Sequence, residues 1–408
     1  MTESAIRSPV PADFLQTGEL GPEYFQDPLA HYAAMRADGP VTLAVLPDGT
    51  PAWFVTGYAE VRAALADPRL LKDWRKLSQP GRTPAETINF ISTNLLNMDP
   101  PDHTRLRRLV LKAFTPRRIA ALRPRVEAIA SSLLDAMGDS GGTVDLMRAF
   151  AFPLPVTVIC DLLGVPAADQ QRFSAWTHTV VANDATGKEL REAREAMHAY
   201  YTSLLAAKRR APSDDLLSAL ITARDNDESL SEPELIAMVY LLLIAGHETT
   251  VNLIGNGILA LLTHPAELAR LRADPSLLPS AVEELLRYTG ALNHATERFT
   301  AEPVELGGLT IPANKVVICA ISGANHDPAR FPDPGRLDLS RDATGHMAFG
   351  HGIHYCLGTH LARLEAEVAF SALLSRFPGL SLAVPAAGLR YRPSSFVRAL
   401  ESLPALLR

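Results

Sequence analysis

A mainly α-helical fold with small β-sheets, built as one body, is what this sequence predicts, and three observations carry the prediction. Apolar residues recur at helical spacing over most of the chain beyond residue 99. Strand-like runs are few and short, at 41–45, 52–56 and in a β-rich segment opening at Arg298. No Gly/Ser linker, internal repeat or low-complexity run divides the 408 residues, so a single domain is the simpler reading although length alone suggests two or three.

Composition narrows the function classes. A formal net charge of −6 argues against a generic nucleic-acid binder, and 47% hydrophobic residues suffice for a large core. Three cysteines are an odd count without metal-finger spacing, which fits a reducing compartment. Cys160 and Cys319 stand in apolar runs and read as core. The first twenty residues carry Glu3, Asp13 and Glu19, unlike a signal peptide. The longest apolar run, 236–246, is short of the roughly 18 residues that span a membrane. A soluble, cytoplasmic monomer is expected.

In chain order, residues 28–38 read as a helix. Two strands follow, joined by Pro47-Asp48-Gly49 as a hairpin turn, and a helix over 58–66 stops at Asp67-Pro68. From 69 to 97 the period fails, and the apolar second half, with Ile88, Leu95 and Leu96, suits a pocket wall. Asp99-Pro100-Pro101-Asp102 opens a helix on which His103 and Arg107 share a face. Such a pair is either a solvated basic face or a clamp on an anion. Further helices are expected over 119–137, 144–163, 167–180, 189–210 and 214–224, with a polar break at 183–187.

The longest helix begins at Ser231, with Pro233 in its first turn and Glu234 completing a capping box, and runs about thirty residues. It is apolar all round, hence buried, yet it carries Ala245-Gly246-His247-Glu248-Thr249-Thr250, then Asn252 and Asn256. Buried polar groups need a ligand, water or their own helix carbonyls. Thr249 can bond back to the Ala245 carbonyl and open the helix, and Gly246 removes a side chain beside it. A groove for a diatomic ligand would result. His247-Glu248 starts the zinc-protease motif, but Val251 replaces its second histidine. Beyond this helix, Glu284 and Arg287 are spaced as an i,i+3 pair.

The most specific stretch is Phe349-Gly350-His351-Gly352-Ile353-His354-Tyr355-Cys356-Leu357-Gly358, just before a helix expected over 357–377. Gly350 and Gly352 permit φ > 0 or close approach to a flat ligand, and Gly358 leaves the first turn open. A helix N-terminus favours thiolate, the metal-binding form of Cys356. A buried free cysteine, or a catalytic cysteine with His354 as base, leaves the glycine spacing unexplained.

Phe349-x-x-Gly352-x-His354-x-Cys356-x-Gly358 resembles the haem-thiolate signature of the cytochrome P-450 monooxygenases. The resemblance extends over nearly the whole chain and implies a triangular-prism fold with the long helix over haem b. It makes Cys356 the axial iron ligand, with Phe349, Gly350 and Gly358 in the haem-binding loop and Ala245 and Gly246 on the opposite face. His103, Arg107, Arg298 and His354 would meet the two propionates. Glu248 and Thr249 match the family's acid–alcohol pair, which delivers protons to bound oxygen. Glu284 and Arg287 would pack against Arg336 as a structural triad, and Leu292, Asn293, His294 and Phe396 would line the pocket.

The bacterial type so implied takes electrons from a ferredoxin and its reductase, drawn to Arg105, Arg108, Lys112, Arg117 and Arg118. It would hydroxylate or epoxidise a bulky apolar molecule, a macrolide or polyketide before a sterol or vitamin-D-like one. A haem-thiolate sensor, or a peroxide-driven or isomerising relative, has no need of an intact Glu248–Thr249 pair.

Overall fold

The computed structural model describes residues 20–46, 49–76, 94–140, 142–181, 187–225 and 230–407. Ile88 and the break at 183–186 lie outside them.

Helix α1, Pro28–Asp38, starts where the Asp27 carboxylate accepts from the Ala30 amide. Strands β1, Val41–Val45, and β2, Pro51–Val55, form the expected hairpin, and α2 follows over Tyr58–Ala66. The stretch after it is not wholly irregular. Leu70–Leu71 is a two-residue edge strand, β3. Helix α3, Asp102–Ala113, carries the His103–Arg107 face.

Two of the expected helices are broken. The first divides into Pro116–Ala120 and α4, Arg123–Ser140, because Pro124 has no N–H to continue the ladder. The second resolves into a strand, Thr143–Asp145, a wide turn, Met147–Ala151, and α5, Pro153–Leu163, with Pro153 in the tolerated first position. Helices α6, Ala167–Val181, α7, Gly187–Arg210, and α8, Leu216–Asp225, agree with the periodicity to within two residues.

The central helix α9, Glu232–Thr263, has 32 residues, about 48 Å at the usual rise. Its capping box is complete: the Ser231 hydroxyl accepts from the Glu234 amide, and the Ser231 amide donates to Glu234 Oε2 at 2.8 Å. Among the described residues it is the one helix long and apolar enough to cross a membrane, but most of it is buried in the fold. It packs on α5 at Gly246, where a Cβ would come within 2.6 Å of Ile159 Cδ1.

Helix α10, Leu278–Tyr288, presents Glu283, Glu284 and Arg287. Strands β4, Arg298–Thr300, and β5, Val316–Cys319, complete a five-stranded sheet in the order β1-β2-β5-β4-β3. Among the described residues only β2 and β5 of this sheet run parallel. Helix α11, Thr359–Arg376, packs against α9 and α4. One large apolar core joins the helices, and two smaller ones cover the faces of the sheet.

Candidate active site

Cys356 hangs on a loop fixed from behind. Gly350 and Gly352 have φ of 71° and 76°, and a Cβ on Gly352 would lie 2.6 Å from the Leu65 carbonyl. The Cys356 amide donates to the Phe349 carbonyl at 3.0 Å. The Phe349 ring lies under the Arg363 guanidinium, 4.7 Å from its centroid, and Arg363 in turn grips Glu283 of α10 at 2.6 and 2.8 Å. His346 reaches the same carboxylate at 3.2 Å. Burial works against the charge of Glu283, but Arg363 and His346 outweigh it and hold the acid down at about 2.

The adjacent residue on α10 anchors a second arm. Glu284 and Arg287 are both fully buried and paired through two bonds of 2.7 Å. Arg287 also donates to the Asn325 and Pro334 carbonyls at 3.0 and 2.9 Å. The expected third member is replaced. The Arg336 side chain is 68% exposed and pairs with Asp338, whereas Arg341 Nε donates to Glu284 Oε1 at 3.2 Å. Arg336 contributes its carbonyl alone, as an acceptor. The turn at Asp333, whose φ is 48°, belongs to an irregular coil in which spacing does not reveal which arginine points inward.

Cys356 is an exposed residue, yet crowding by protein atoms still acts on its thiol. Burial raises its pKa, against the opposing effects of the Gly358 amide, Arg107 and Arg363. Burial thus opposes the thiolate expected from the helix terminus. A coordinated metal cation deprotonates such a thiol outright. A Cβ on Gly358 would sit 3.7 Å from the sulfur, an ordinary contact, so nothing within the chain itself requires glycine there.

Beside the sulfur lies a cationic cradle. Arg107 Nη2 donates to the Tyr355 carbonyl at 2.6 Å, tying α3 to the loop. The rings of His103 and His354 are 4.3 Å apart. Arg298 is buried and reaches the Leu70 carbonyl at 3.4 Å. Both ring nitrogens of His103, Nε2 of His354 and Nε of Arg298 are buried without an acceptor or donor. Burial lowers the pKa of all three, His103 to about 4, and the neighbouring cations push both histidines further down. Buried polar atoms are almost always satisfied. Two carboxylates supplied by a ligand would satisfy these, so the cradle fits the propionates of a haem whose iron meets Cys356.

Lys72 also belongs to this cluster. It is 2% exposed, and its charge acts on His354, His103 and Arg298. Nothing in the local sequence marks it as buried.

On α9, Leu241, Ala245 and Thr249 form an i,i+4,i+8 stripe that stays accessible, with Ile244 and Gly246 partly so beside it, in a mostly buried helix. Thr249 Oγ1 donates to the Ala245 carbonyl at 3.2 Å, as the sequence suggests. His247 and Asn252 bond back to the Leu243 and Glu248 carbonyls, at 2.6 and 2.7 Å, and Asn256 spans to the Gly290 and Arg398 carbonyls. Much of the polar cluster thus finds partners within the protein, while His247 Nε2 and Asn256 Oδ1 are buried without one. The Glu248 side chain, 9% exposed, has no ion-pair partner among the described residues. At Gly246 the missing side chain makes room for Ile159 of α5.

Of the expected pocket walls, Leu292, His294 and Phe396 come together. Leu292 bridges to Val397, and the His294 and Phe396 rings are 5.3 Å apart. Asn293 is buried and donates to the Ser395 and Phe396 carbonyls through its side chain and amide, so it staples this wall. Leu95 is buried and Leu96 half-buried in a short turn before α3. Of the five basic residues expected to form a docking face, Arg105 pairs with Glu234 and Arg118 with Asp214. Arg108, Lys112 and Arg117 are exposed.

The comparisons with known proteins agree with this geometry. The cytochrome P-450 family model matches residues 49–380. The chain is 49% identical to the cytochrome P-450 monooxygenase PikC of Streptomyces venezuelae, over 96% of this chain and 93% of that one. It is 50% identical to the vitamin D(3) 25-hydroxylase of Pseudonocardia autotrophica, over 94% of each. The ligand-free monooxygenase TamI superposes with a TM-score of 0.89 at 47% identity, covering 97% of this chain and 95% of that one. With its fold, its cysteine loop and its relatives in accord, this chain belongs to the cytochrome P-450 family, as a monooxygenase that binds haem through a cysteine thiolate.

Proposed function

We propose that the chain holds haem b through Cys356 and uses it to hydroxylate or epoxidise a bulky, apolar natural product of the macrolide or polyketide type. The observation that carries this reading is the convergence of one exposed cysteine with buried, unsatisfied nitrogens of His103, His354 and Arg298. Bound haem supplies activation of dioxygen by two electrons and transfer of one oxygen atom to carbon. The protein's residues do the rest. Arg107, Arg298, His103 and His354 hold the propionates and exclude water from that edge. Glu248 carries a proton towards Thr249 Oγ1. That hydroxyl, anchored on the Ala245 carbonyl, keeps its lone pairs free to accept the proton and pass it on. Leu95, Leu96, Leu292, His294 and Phe396 form the apolar wall that orients the substrate, with Ile88 from outside the described residues.

The substrate class rests on relatives such as 6-deoxyerythronolide B hydroxylase of Saccharopolyspora erythraea, 47% identical. The vitamin D(3) 25-hydroxylase, 50% identical, favours a second reading, a secosteroid substrate. Electrons come from a cytoplasmic ferredoxin and its reductase. Leu111, Ile353 and Tyr355 are exposed, as are Arg108, Lys112 and Arg117, and apolar and basic groups together suit a small acidic partner. The enzyme works as a monomer.

The test is a spin-state titration of the haem-loaded protein with macrolides, polyketides and secosteroids, followed by turnover with a surrogate ferredoxin pair. One class should displace the iron-bound water and give oxygenated product matched to oxygen consumed. A panel that leaves the Soret band unmoved, with peroxide as sole product, would count against the substrate reading.

A further inference from the structure

Two buried cations lie close together at the edge of the sheet. In the antiparallel pair β3–β4, Leu70 faces Thr300 and Leu71 faces Phe299; Lys72 and Arg298 follow directly where the ladder ends, both buried and close enough for the guanidinium to act on the ammonium. Like charges this close repel, and burial strengthens the repulsion. The nearby acids do not cancel it. The Asp99 carboxylate accepts from the Lys72 and Asp73 amides at 3.1 Å and faces Lys76 Nζ at 3.6 Å. Among the described residues no carboxylate pairs with the Lys72 ammonium, whose hydrogen bond goes to the neutral Thr296 hydroxyl. Burial and Arg298 lower its pKa, against Asp99, Cys319 and Glu297. A lysine held dry beside an arginine and two unsatisfied histidines lacks one thing, an anion.

We infer that Lys72 and Arg298 act together as a two-armed clamp on one haem propionate, Lys72 being a haem-anchoring residue that the signature motifs do not contain. The inference rests on the haem reading above. It assigns Thr296 the role of positioning the ammonium, and it makes the unliganded protein the strained form. Lys72 should therefore destabilise the apoprotein and stabilise the holoprotein.

That opposition of sign is the test. Lys72→Met keeps the length of the stem and removes the charge, and Lys72→Arg restores a cation. With Lys72→Met, the haem-free protein should melt at the same temperature as wild type or higher, while haem transfer to apomyoglobin quickens about tenfold or more. Lys72→Arg should recover most of the retention. Reconstitution with haem dimethyl ester, which lacks both carboxylates, should erase the difference between wild type and Lys72→Met. Unchanged transfer in a folded Lys72→Met protein would overturn the clamp. A difference that persists with the ester would assign Lys72 to some other anion. A wild-type protein that takes up no haem would instead sink the underlying haem reading, so the two failures are distinguishable.

Discussion

Two buried polar clusters flank the cysteine loop, and they are built on opposite principles. In the buttress, Glu284 and Arg287 have no solvent exposure, and Glu284 takes bonds from Arg287, Arg341 and the Asp338 amide. Arg287 spends its remaining donors on carbonyls. In the cradle, His103, His354 and Arg298 keep buried nitrogens without partners, and the buried Lys72 lies close to Arg298. A saturated cluster is a scaffold: it loses when anything is removed. An unsaturated one is a receptor, because its desolvation cost is recovered only when the missing charge arrives.

The largest effect should come from breaking the scaffold. Arg287→Ala leaves a buried carboxylate half-paired and should cost about 3–5 kcal/mol in urea unfolding, with or without haem. Arg341→Ala should cost about 1–2 kcal/mol, whereas Arg336→Ala, whose side chain lies in solvent, should fall within about 0.5 kcal/mol of wild type. Equal losses from these two would reverse the assignment. In the receptor cluster, Arg298→Leu should leave the apoprotein no less stable while weakening haem retention about tenfold or more. A matching loss of apoprotein stability would make Arg298 a scaffold residue.

Acid sharpens the contrast. In the haem-free protein His103 titrates near 4, lowered first by burial, as do His294 and His326. Their ordinary value is about 6.5, so between those values the unfolded chain binds more protons and stability falls as pH falls. Carboxylates beside His103 would favour its charged form. Haem loading should therefore flatten the loss of stability between about pH 6.5 and pH 4, measured by thermal melts of both forms. The smallest structural change is Thr249→Ala. It should leave fold and haem content intact and divert electrons into peroxide, read as product formed per reducing equivalent. Unchanged coupling would remove Thr249 from the proton route.

What the sequence disclosed follows from the range of its signals. The capping box at Ser231 and the Glu284–Arg287 pair span three residues, within reach of one helical turn, and both stand as expected. Gly350 and Gly352 of the cysteine loop were legible because positive φ restricts residue type. Arg341 was not, since a coil has no period to separate it from Arg336. Lys72 was hidden for another reason: its partner Arg298 lies more than two hundred residues away, across a ladder that β3 extends by only two residues. Spacing on α9 alone does not show that Ile159 of α5 lies against Gly246.

The central claim is that the sulfur of residue 356 binds the iron. It is tested most directly by the absorption spectrum of the reduced, haem-loaded protein under carbon monoxide. The red-shifted Soret band of a thiolate-ligated haem is expected in the wild type and should be lost in Cys356→Ser. A folded, haem-loaded wild type without that band, or a Cys356→Ser protein that keeps it, would contradict the account.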